Sequence, residues 1–380
     1  MFTHNPSVPS NPKHHPILKR GMTSADSADY ADVKKLMAGG PFTQWVKPHG
    51  SAISSLSASS AVFTSEFGTM TPCPLRLSAR VARPLAGMVF GALAMGLVLL
   101  GPTAHSEDTK APKRFIAADY STRRLGAVSM DGKLEWELPI RDIHDLWILP
   151  NGNLLLQTNW TRVLELSPDR KLVWSYDSAT MNGNSGQKVE VHAFQRLENG
   201  LTMIAESGPG RIIEVDREGR IQHQIQLKRA KPDAHRDTRL ARKLKNGNYL
   251  VAQEGEGMVR EYDPKGSVVW EYDVKSQVYA AVRLDNGNTL IGAGGGSRVL
   301  EVSKQGQVVW SVEKQDIPGV TLAWVTHVDR LPNGNTTIVN CHAGPENPQF
   351  LEITPQKKAV WAFKDFKNFG NSTPVVKILP

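Results

Sequence analysis

Histidine is the residue type in this chain best suited to chemistry. His144, His192, His235, Tyr279 and His327 follow one another at intervals of 43 to 48 residues. A neutral imidazole can bind a metal ion or act as a base or nucleophile, and a protonated one can hold an anion. Polar side chains at so regular an interval are expected to occupy related places in a repeated fold.

The repeat itself is marked by five Asn-Gly pairs, which begin at Asn151, Asn199, Asn246, Asn286 and Asn333. Each pair is followed by an apolar run, a Glu flanked by apolar residues, a polar turn and a ring. The Glu and the ring are always nine residues apart, in the pairs Glu165–Trp174, Glu214–His223, Glu261–Trp270, Glu301–Trp310 and Glu352–Trp361. A period of roughly 40 to 50 residues built from short strands is typical of a propeller blade.

One unit, residues 237–273, shows the expected strands. Strand A runs to Leu244, strand B spans Tyr249–Gln253, strand C spans Met258–Tyr262 and strand D spans Ser267–Tyr272. Asn-Gly between strands A and B predicts a two-residue hairpin with positive φ at both positions. Asp-Pro-Lys-Gly between strands C and D is also a turn signal. Four antiparallel strands would make one blade.

The number of blades follows from the two ends of the repeat region. Residues 113–138 match strands B, C and D alone, and residues 372–380 match strand A alone. Together they complete one blade, so the sequence predicts an all-β, six-bladed propeller over 107–380. Closing the ring with terminal strands in a shared blade would remove exposed sheet edges.

The repeated Glu and Trp residues are predicted to be scaffold, because a position that recurs in each blade stabilises each blade. We expect the Glu of strand C to pair with the basic residue three positions before an Asn-Gly. These basic residues are Arg196, Lys243, Arg283 and Arg330.

Chemistry is instead expected on the rim that carries the B–C loops and the D–A connectors, because these vary in length and composition. The predicted ligand-binding residues there are His144, His192, Arg239, Tyr279, Glu254 and His342, and the candidate catalytic residues are His235 and His327. Other polar loop residues on this rim are Asp119, Tyr120, Trp160, Glu206, Glu256, Cys341 and Glu346. Gly294–Gly296 leaves the loop of blade five bare, which favours close approach of a ligand or another backbone.

Three interpretations of the histidines stay open. They cap strands and bind channel water, they hold a metal or an anionic ligand, or one of them is catalytic. Convergence of three or more histidines with Arg239 would favour the second or third. The metal, the cofactor and the ligand are not specified by the sequence.

Charge and cysteine content narrow the possible partners. The chain of 380 residues has a formal net charge of +8, but Glu107 onward holds 36 Lys/Arg against 33 Asp/Glu. A nearly neutral repeat region argues against a nucleic-acid surface. With only Cys73 and Cys341 present, neither a disulfide framework nor a cysteine zinc site is expected.

The N-terminal region carries a predicted export signal. Residues 85–101 are uncharged and apolar, three arginines precede them, and Ala104-His105-Ser106 follows with small residues. This pattern predicts a signal peptide over 70–106 or, as the alternative, an uncleaved membrane anchor. Residues 1–69 are either a disordered extension or the product of a start assigned too far upstream. The propeller is thus expected in the periplasm or secreted, with membrane contact only through this segment.

The motifs resemble two bacterial families. Residues 244–272 and 284–310, which share Asn-Gly-Asn, Val-Val-Trp and the strand C Glu, resemble PQQ-like propeller repeats. Quinoprotein dehydrogenases of that type have eight blades and typically adjacent cysteines, so the resemblance does not extend to their redox chemistry. Residues 144–153 (HDLWILPNGN) are similar to a blade opening of the six-bladed arylsulfate sulfotransferases.

The second resemblance implies that His235 or His327 is a sulfate-accepting nucleophile, with His144, His192 and Arg239 neutralising sulfate. The chain is therefore expected to be an exported propeller that binds a small molecule or a protein partner on its B–C-loop rim. A His-dependent arylsulfotransferase-like enzyme is the alternative.

Overall fold

The computed structural model describes residues 112–379. The predicted extension (1–69) and signal peptide (70–106) lie outside the described residues. Within residues 112–379, no helical segment has the length and hydropathy needed to span a membrane.

The described chain forms six four-stranded sheets, all antiparallel, whose strand orders are β24-β1-β2-β3 and then five groups of four consecutive strands from β4 to β23. A turn of 3-10 helix, Glu254–Glu256, follows β13. The strands are β1 (Phe115–Asp119), β2 (Arg124–Val128), β3 (Leu134–Pro139), β4 (Leu146–Ile148), β5 (Leu154–Gln157), β6 (Arg162–Leu166), β7 (Leu172–Asp177), β8 (Glu190–Arg196), β9 (Thr202–Ser207), β10 (Arg211–Val215), β11 (Ile221–Gln226), β12 (Ala241–Lys243), β13 (Tyr249–Gln253), β14 (Met258–Tyr262), β15 (Val268–Asp273), β16 (Ala280–Arg283), β17 (Thr289–Gly292), β18 (Val299–Val302), β19 (Val308–Val312), β20 (Trp324–Arg330), β21 (Thr336–Cys341), β22 (Phe350–Ile353), β23 (Ala359–Phe363) and β24 (Val375–Ile378).

The sheets are the six blades of a propeller, as the repeat predicted, and we number them in chain order. The middle strands of the blades are buried on both faces, as in β13, where all five residues are buried. The outermost strands are only half covered, and β15 alternates half-buried and exposed residues. Apolar side chains of neighbouring blades pack together, so the core is a ring of interfaces between sheets.

Blade one is closed by both ends of the propeller. β1 pairs with β24 from Phe115↔Ile378 to Ala118↔Val375. At the end of this pairing, the buried carboxylate of Asp119 accepts hydrogen bonds from the backbone N–H of Ser372 (2.8 Å) and the hydroxyl of Thr373 (3.1 Å). The predicted closure is confirmed.

The Asn-Gly turns differ from the expected two-residue hairpin. In the first, the N–H of Gly152 bonds to the carbonyl of Leu149 (2.8 Å) and the N–H of Leu149 bonds to the carbonyl of Asn153 (2.8 Å). The loop therefore holds three residues, and within it only Gly152 has a positive φ, 82°. The reason is the Asn151 side chain, which accepts a bond from the N–H of Asn153 (3.0 Å) and so holds Asn151 in an Asx turn.

Neighbouring blades are joined by ion pairs that follow the repeat. The carboxylate of Glu261 in blade four accepts bonds from Asn248 of its own turn (2.6 Å) and Arg283 of blade five (2.6 Å). Arg283 also lies over the ring of Trp270, 5.0 Å from its centre. The same Glu-to-basic pairing joins Glu165 with Arg196, Glu214 with Lys243 and Glu301 with Arg330. The predicted pairing is confirmed, and it connects different blades.

The two interfaces of blade one depart from this pattern. Between blades six and one, Lys113 pairs with Glu352 at 2.6 Å and replaces the basic residue of the inner strand. Between blades one and two, Ala127 stands opposite Trp136 where the other blades have Glu, and Ile148 stands at the basic position. Apolar residues thus occupy both positions that form the ion pair elsewhere, and both belong to a hydrophobic cluster.

We predict that Asp119→Ala destabilises the propeller by about 3 kcal/mol, because buried donors from both ends of the ring lose their acceptor. The free energy of unfolding in urea measures this. Asp131→Ala, which removes an exposed turn carboxylate of the same blade, is the control and should have no measurable effect. Equal stabilities of the two variants would contradict the closure by Asp119.

Candidate functional site

A cavity of about 390 Å³ opens where the channel meets the rim of B–C loops. It is built from separate blades, with Tyr120 from blade one, Trp160 from blade two and Glu254 from blade four. Its lining residues are Tyr120, Asp142, His144, Trp160, His235, Arg239, Glu254, Tyr279, Trp324, Thr326, Cys341, His342 and Pro374. Larger grooves, including one of about 590 Å³ between blades four and five, lie on the opposite rim among the interblade ion pairs.

One repeat position supplies four side chains of the cavity wall and a fifth, His192, that contacts two of them. Seven residues before the successive Asn-Gly pairs stand His144, His192, Arg239, Tyr279 and Thr326. All five are buried, with exposed fractions of 6% or less. In β8 the pairing with β9 skips His192, because Val191 and Ala193 face consecutive residues of that strand. Such a bulge re-aims the residue that it leaves unpaired.

Two imidazoles and an indole of the cavity wall meet a third imidazole, that of His192, which is fully buried beside them. The ring centres of His144 and His192 are 4.8 Å apart, and those of His192 and His235 are 5.6 Å apart. Trp160 lies 4.9 Å from His144 and 5.3 Å from His235. The predicted convergence of three histidines with Arg239 is therefore present, since Arg239 contacts His192.

Hydrogen bonds fix the tautomer of His192. Its Nδ1 donates to the carbonyl of Thr238 (2.8 Å), and its Nε2 accepts from Nη1 of Arg239 (3.2 Å). The guanidinium of Arg239 also pairs with the carboxylate of Glu254 and lies 5.4 Å from the ring centre of Tyr279. Burial and the Arg239 charge lower the pKa of His192 to about 4, so this ring is neutral at pH 7.

Glu190, at the start of β8, connects two of the imidazoles. Its Oε2 lies 2.7 Å from Nδ1 of His235 and 3.3 Å from Nε2 of His192. Burial raises the pKa of Glu190, but the contacts of its carboxylate with the two imidazoles outweigh burial and lower the pKa to about 2. The His235 side chain is 44% exposed, so it is the most accessible imidazole of the three.

Three buried polar atoms of the cavity wall have no hydrogen-bond partner among the described residues. They are Nδ1 of His144, the hydroxyl of Tyr279 and the hydroxyl of Thr326. Buried polar groups in proteins nearly always have a partner. All three atoms belong to residues that line the cavity.

An ion pair across the channel forms the floor. Asp145 of blade two accepts two bonds from the guanidinium of Arg242 in blade four, at 2.7 and 2.9 Å. Because blade three separates these blades, the pair must reach across the axis. The imidazole Nε2 of His327, in blade six, lies 3.9 Å from Oδ1 of Asp145. The channel is thus filled below the cavity, and entry is from the B–C-loop rim.

His327 is consequently placed differently from the other candidates. It stands six residues before its Asn-Gly, one position past Thr326, and so turns toward the floor. Its Nδ1 bonds to the carbonyl of Pro374 (2.9 Å), and the residue is not part of the cavity wall. Burial lowers its pKa. Of the two candidate catalytic residues, only His235 lines the cavity.

His342 and Tyr120 lie together at the rim of the cavity. His342 is exposed, has a φ of 60°, and its Nε2 is hydrogen-bonded to the hydroxyl of Tyr120 (2.8 Å). Burial raises the pKa of Tyr120 to about 12.

The glycines of blade five admit another backbone, since Gly294 forms a β-bridge with Val325, and a side chain at Gly295 would contact Trp324.

Glu190, Thr326 and Trp324 were missed as site residues by reasoning from the sequence. Thr326 could have been found by counting seven residues back from Asn333. Glu190 and Trp324 have no counterpart in the repeat that would have marked them.

Residues 210–345, just over a third of the chain, match the family model described as outer membrane protein assembly factor BamB. These residues carry repeats of the PQQ-like propeller type. No match was found among curated proteins.

Similarity to solved structures confirms the architecture. A protein of unknown function from Bacteroides caccae is 22% identical, with a TM-score of 0.63 over 70% of this chain and 99% of that one. A streptogramin B lyase is 10% identical, with a TM-score of 0.50 over 72% of this chain and 95% of that one. At these identities the similarity shows the fold alone.

We predict that the free energy of unfolding falls as the pH drops from about 6.5 to 5. Burial lowers the folded-state pKa of His144, His192 and His327 below the ordinary value of 6.5. The unfolded chain therefore takes up protons first, and stability present above pH 6.5 is lost on acidification. For His192 alone the loss at pH 5 is about 2 kcal/mol.

Urea denaturation at pH 7 and pH 5 measures this difference. His192→Gln keeps a donor and an acceptor at the site but cannot be protonated. It should show a smaller loss than the wild type, and an identical loss would contradict the assignment to His192.

Proposed function

We propose that the propeller binds a small organic molecule, with an aromatic ring and hydrogen-bonding groups, in the cavity on its B–C-loop rim. The observation that carries this proposal is the convergence of unpartnered buried polar atoms and aromatic rings from different blades on one closed-ended cavity. Clefts that bind small molecules typically enclose about 300–1,000 Å³, and this one encloses about 390 Å³.

The chemistry of the walls indicates the class of molecule. The rings of Trp160, Tyr279 and Trp324 provide flat apolar surface, on which an aromatic ligand can stack. The charged side chains have partners within the protein, because Glu254 pairs with Arg239 and the carboxylate of Glu190 is hydrogen-bonded to His235. Selection by hydrogen bonds and shape is therefore favoured over selection by net charge.

A small molecule fits the cavity better than a protein surface does. His144 and Tyr279 are 6% and 3% exposed, and they lie in the mouth of a channel that Asp145 and Arg242 close below. A broad, flat partner could contact Tyr120 and His342 at the rim, but it would not reach the unpartnered atoms.

Thermal denaturation with a panel of aromatic acids and phenols, beginning with 4-hydroxybenzoate, tests the proposal. Saturated analogues such as 4-hydroxycyclohexanecarboxylate are the matched controls for the ring. We expect an aromatic compound to raise the melting temperature in a saturable way. Tyr279→Phe should weaken its binding about five- to tenfold, since one hydrogen bond of about 1 kcal/mol is lost.

Tyr272→Phe makes the same change outside the cavity and should leave the affinity unaltered. Equal affinities of Tyr279→Phe, Trp160→Ala and the wild type would place the compound elsewhere and contradict the proposal. So would the absence of any saturable binder from a broad aromatic panel.

We further propose that the propeller acts outside the cytoplasm. Support comes from the basic, apolar and small-residue order of 70–106 and from the match to a model named for an outer-membrane assembly factor. Expressed in a Gram-negative host, the chain should be recovered from the periplasm with a new N-terminus near Glu107, as N-terminal sequencing would show. Leu97→Arg with Leu99→Arg, which breaks the apolar run, should retain it in the cytoplasm. Cytoplasmic recovery of the unaltered chain would contradict the proposal.

A further inference from the structure

Glu190, His192 and His235 direct ligand-type atoms toward a common point. One atom from each residue, a carboxylate oxygen or an imidazole nitrogen, lies within 4.8 Å of the other two. Two imidazoles and a carboxylate form a frequent donor set for first-row transition metals. The three residues come from β8 and from the connector between β11 and β12, so blade packing brings them together.

The His192 ring is oriented as a metal ligand would be. Because Nδ1 donates to the carbonyl of Thr238 (2.8 Å), Nε2 is left as an acceptor, and Oε2 of Glu190 lies only 3.3 Å from it. Two acceptors facing each other at that distance require a positive group between or beside them. A backbone carbonyl that holds the second imidazole nitrogen is a common outer-shell feature of metal-binding histidines.

The separation of Glu190 and His192 suits a tetrahedral ion. With metal–ligand bonds of about 2.0–2.1 Å, neighbouring donors stand roughly 3.3 Å apart, the separation seen between Glu190 and His192. Glu190 and His235 are closer, at 2.7 Å, and would have to move apart by a few tenths of an ångström. The half-exposed side chain of His235 has room for that movement.

We propose that Glu190, His192 and His235 bind a divalent transition metal ion, for which Zn²⁺ is the reference, with a coordination position open to the cavity. The site goes beyond the proposed ligand cavity, because its protein ligands need no organic guest. Glu254 pairs with the guanidinium of Arg239, whereas the carboxylate of Glu190 lies against the two imidazoles and can hold a cation there.

Arg239 competes with the metal. Its Nη1 lies 3.2 Å from Nε2 of His192, and that nitrogen cannot bond to both. Arg239 remains paired with Glu254 through Nε, so an arriving ion need displace only the contact with His192. The charge of Arg239 should weaken metal binding, and removing it should strengthen binding.

Titration of the metal-free, purified full chain with Co²⁺, followed by visible absorption, and with Zn²⁺, followed by calorimetry, tests the site. We expect one equivalent of Co²⁺ to give the d–d bands of an ion bound by nitrogen and oxygen. Glu190→Gln and His235→Gln are conservative changes at partly exposed positions. Each should weaken binding by more than the ~10–100-fold typical for loss of an outer-shell partner.

His223→Gln removes an imidazole outside the cavity wall and is the matched control, which should bind like the wild type. The double variant Arg239→Met, Glu254→Gln removes the competing charge together with its partner and should bind more tightly. Absence of a one-equivalent phase overturns the proposal. So does equal binding by the wild type, Glu190→Gln and His235→Gln, which would assign the metal to histidines elsewhere, such as His14 and His15.

Failure of the metal-binding proposal can be distinguished from failure of the organic-ligand proposal. Repeating the aromatic panel in EDTA leaves the Tyr279-dependent binding measurable when no metal is bound. Loss of metal binding with retained ligand binding would overturn this proposal alone.

Discussion

The pairing of β24 with β1 is the contact on which the rest of this structure depends. It converts a row of blades into a ring, and only a ring brings residues of blades two, four and six to one axis. Asp119 reinforces the junction from inside, with bonds to Ser372 and Thr373. The closing segment also reaches the axis directly, since the carbonyl of Pro374 holds the imidazole of His327.

The two rims of the ring differ in which residues recur from blade to blade. On the turn rim the same Glu-to-basic ion pair recurs and joins the consecutive blades from two to six. On the loop rim a fixed position, seven residues before the Asn-Gly, carries a different side chain in successive blades: His, His, Arg, Tyr and Thr. A repeated backbone thus presents a non-repeated set of groups, which is what recognition of one particular ligand requires.

The cross-channel pair of Asp145 and Arg242 gives the cavity its floor. A buried ion pair is costly to desolvate unless its geometry is good, and here the guanidinium donates twice to the carboxylate. Trp147 lies beneath it, with Arg242 and Lys377 at 4.9 and 5.4 Å from its ring centre. The pair joins blade two to blade four across the channel.

The sequence predicted the fold well because turn residues and strand periodicity are local properties. Its prediction of a two-residue hairpin was wrong, since the Asn151 side chain selects an Asx turn with only Gly152 at positive φ. In the site, His144, His192, His235 and Arg239 were predicted together and lie together. His327 was grouped with them, although a one-residue offset turns it to the floor. Contacts across the axis, such as Arg242 with Asp145, depend on the radius of the ring and leave no local trace.

A co-crystal structure with the aromatic compound that most stabilises the protein would show directly whether the cavity on the B–C-loop rim is the ligand site. We expect the compound to lie between His144, Trp160 and Tyr279, with a hydrogen bond to the Tyr279 hydroxyl. A compound found instead in the groove between blades four and five, beside Trp270 and Lys304, would contradict it.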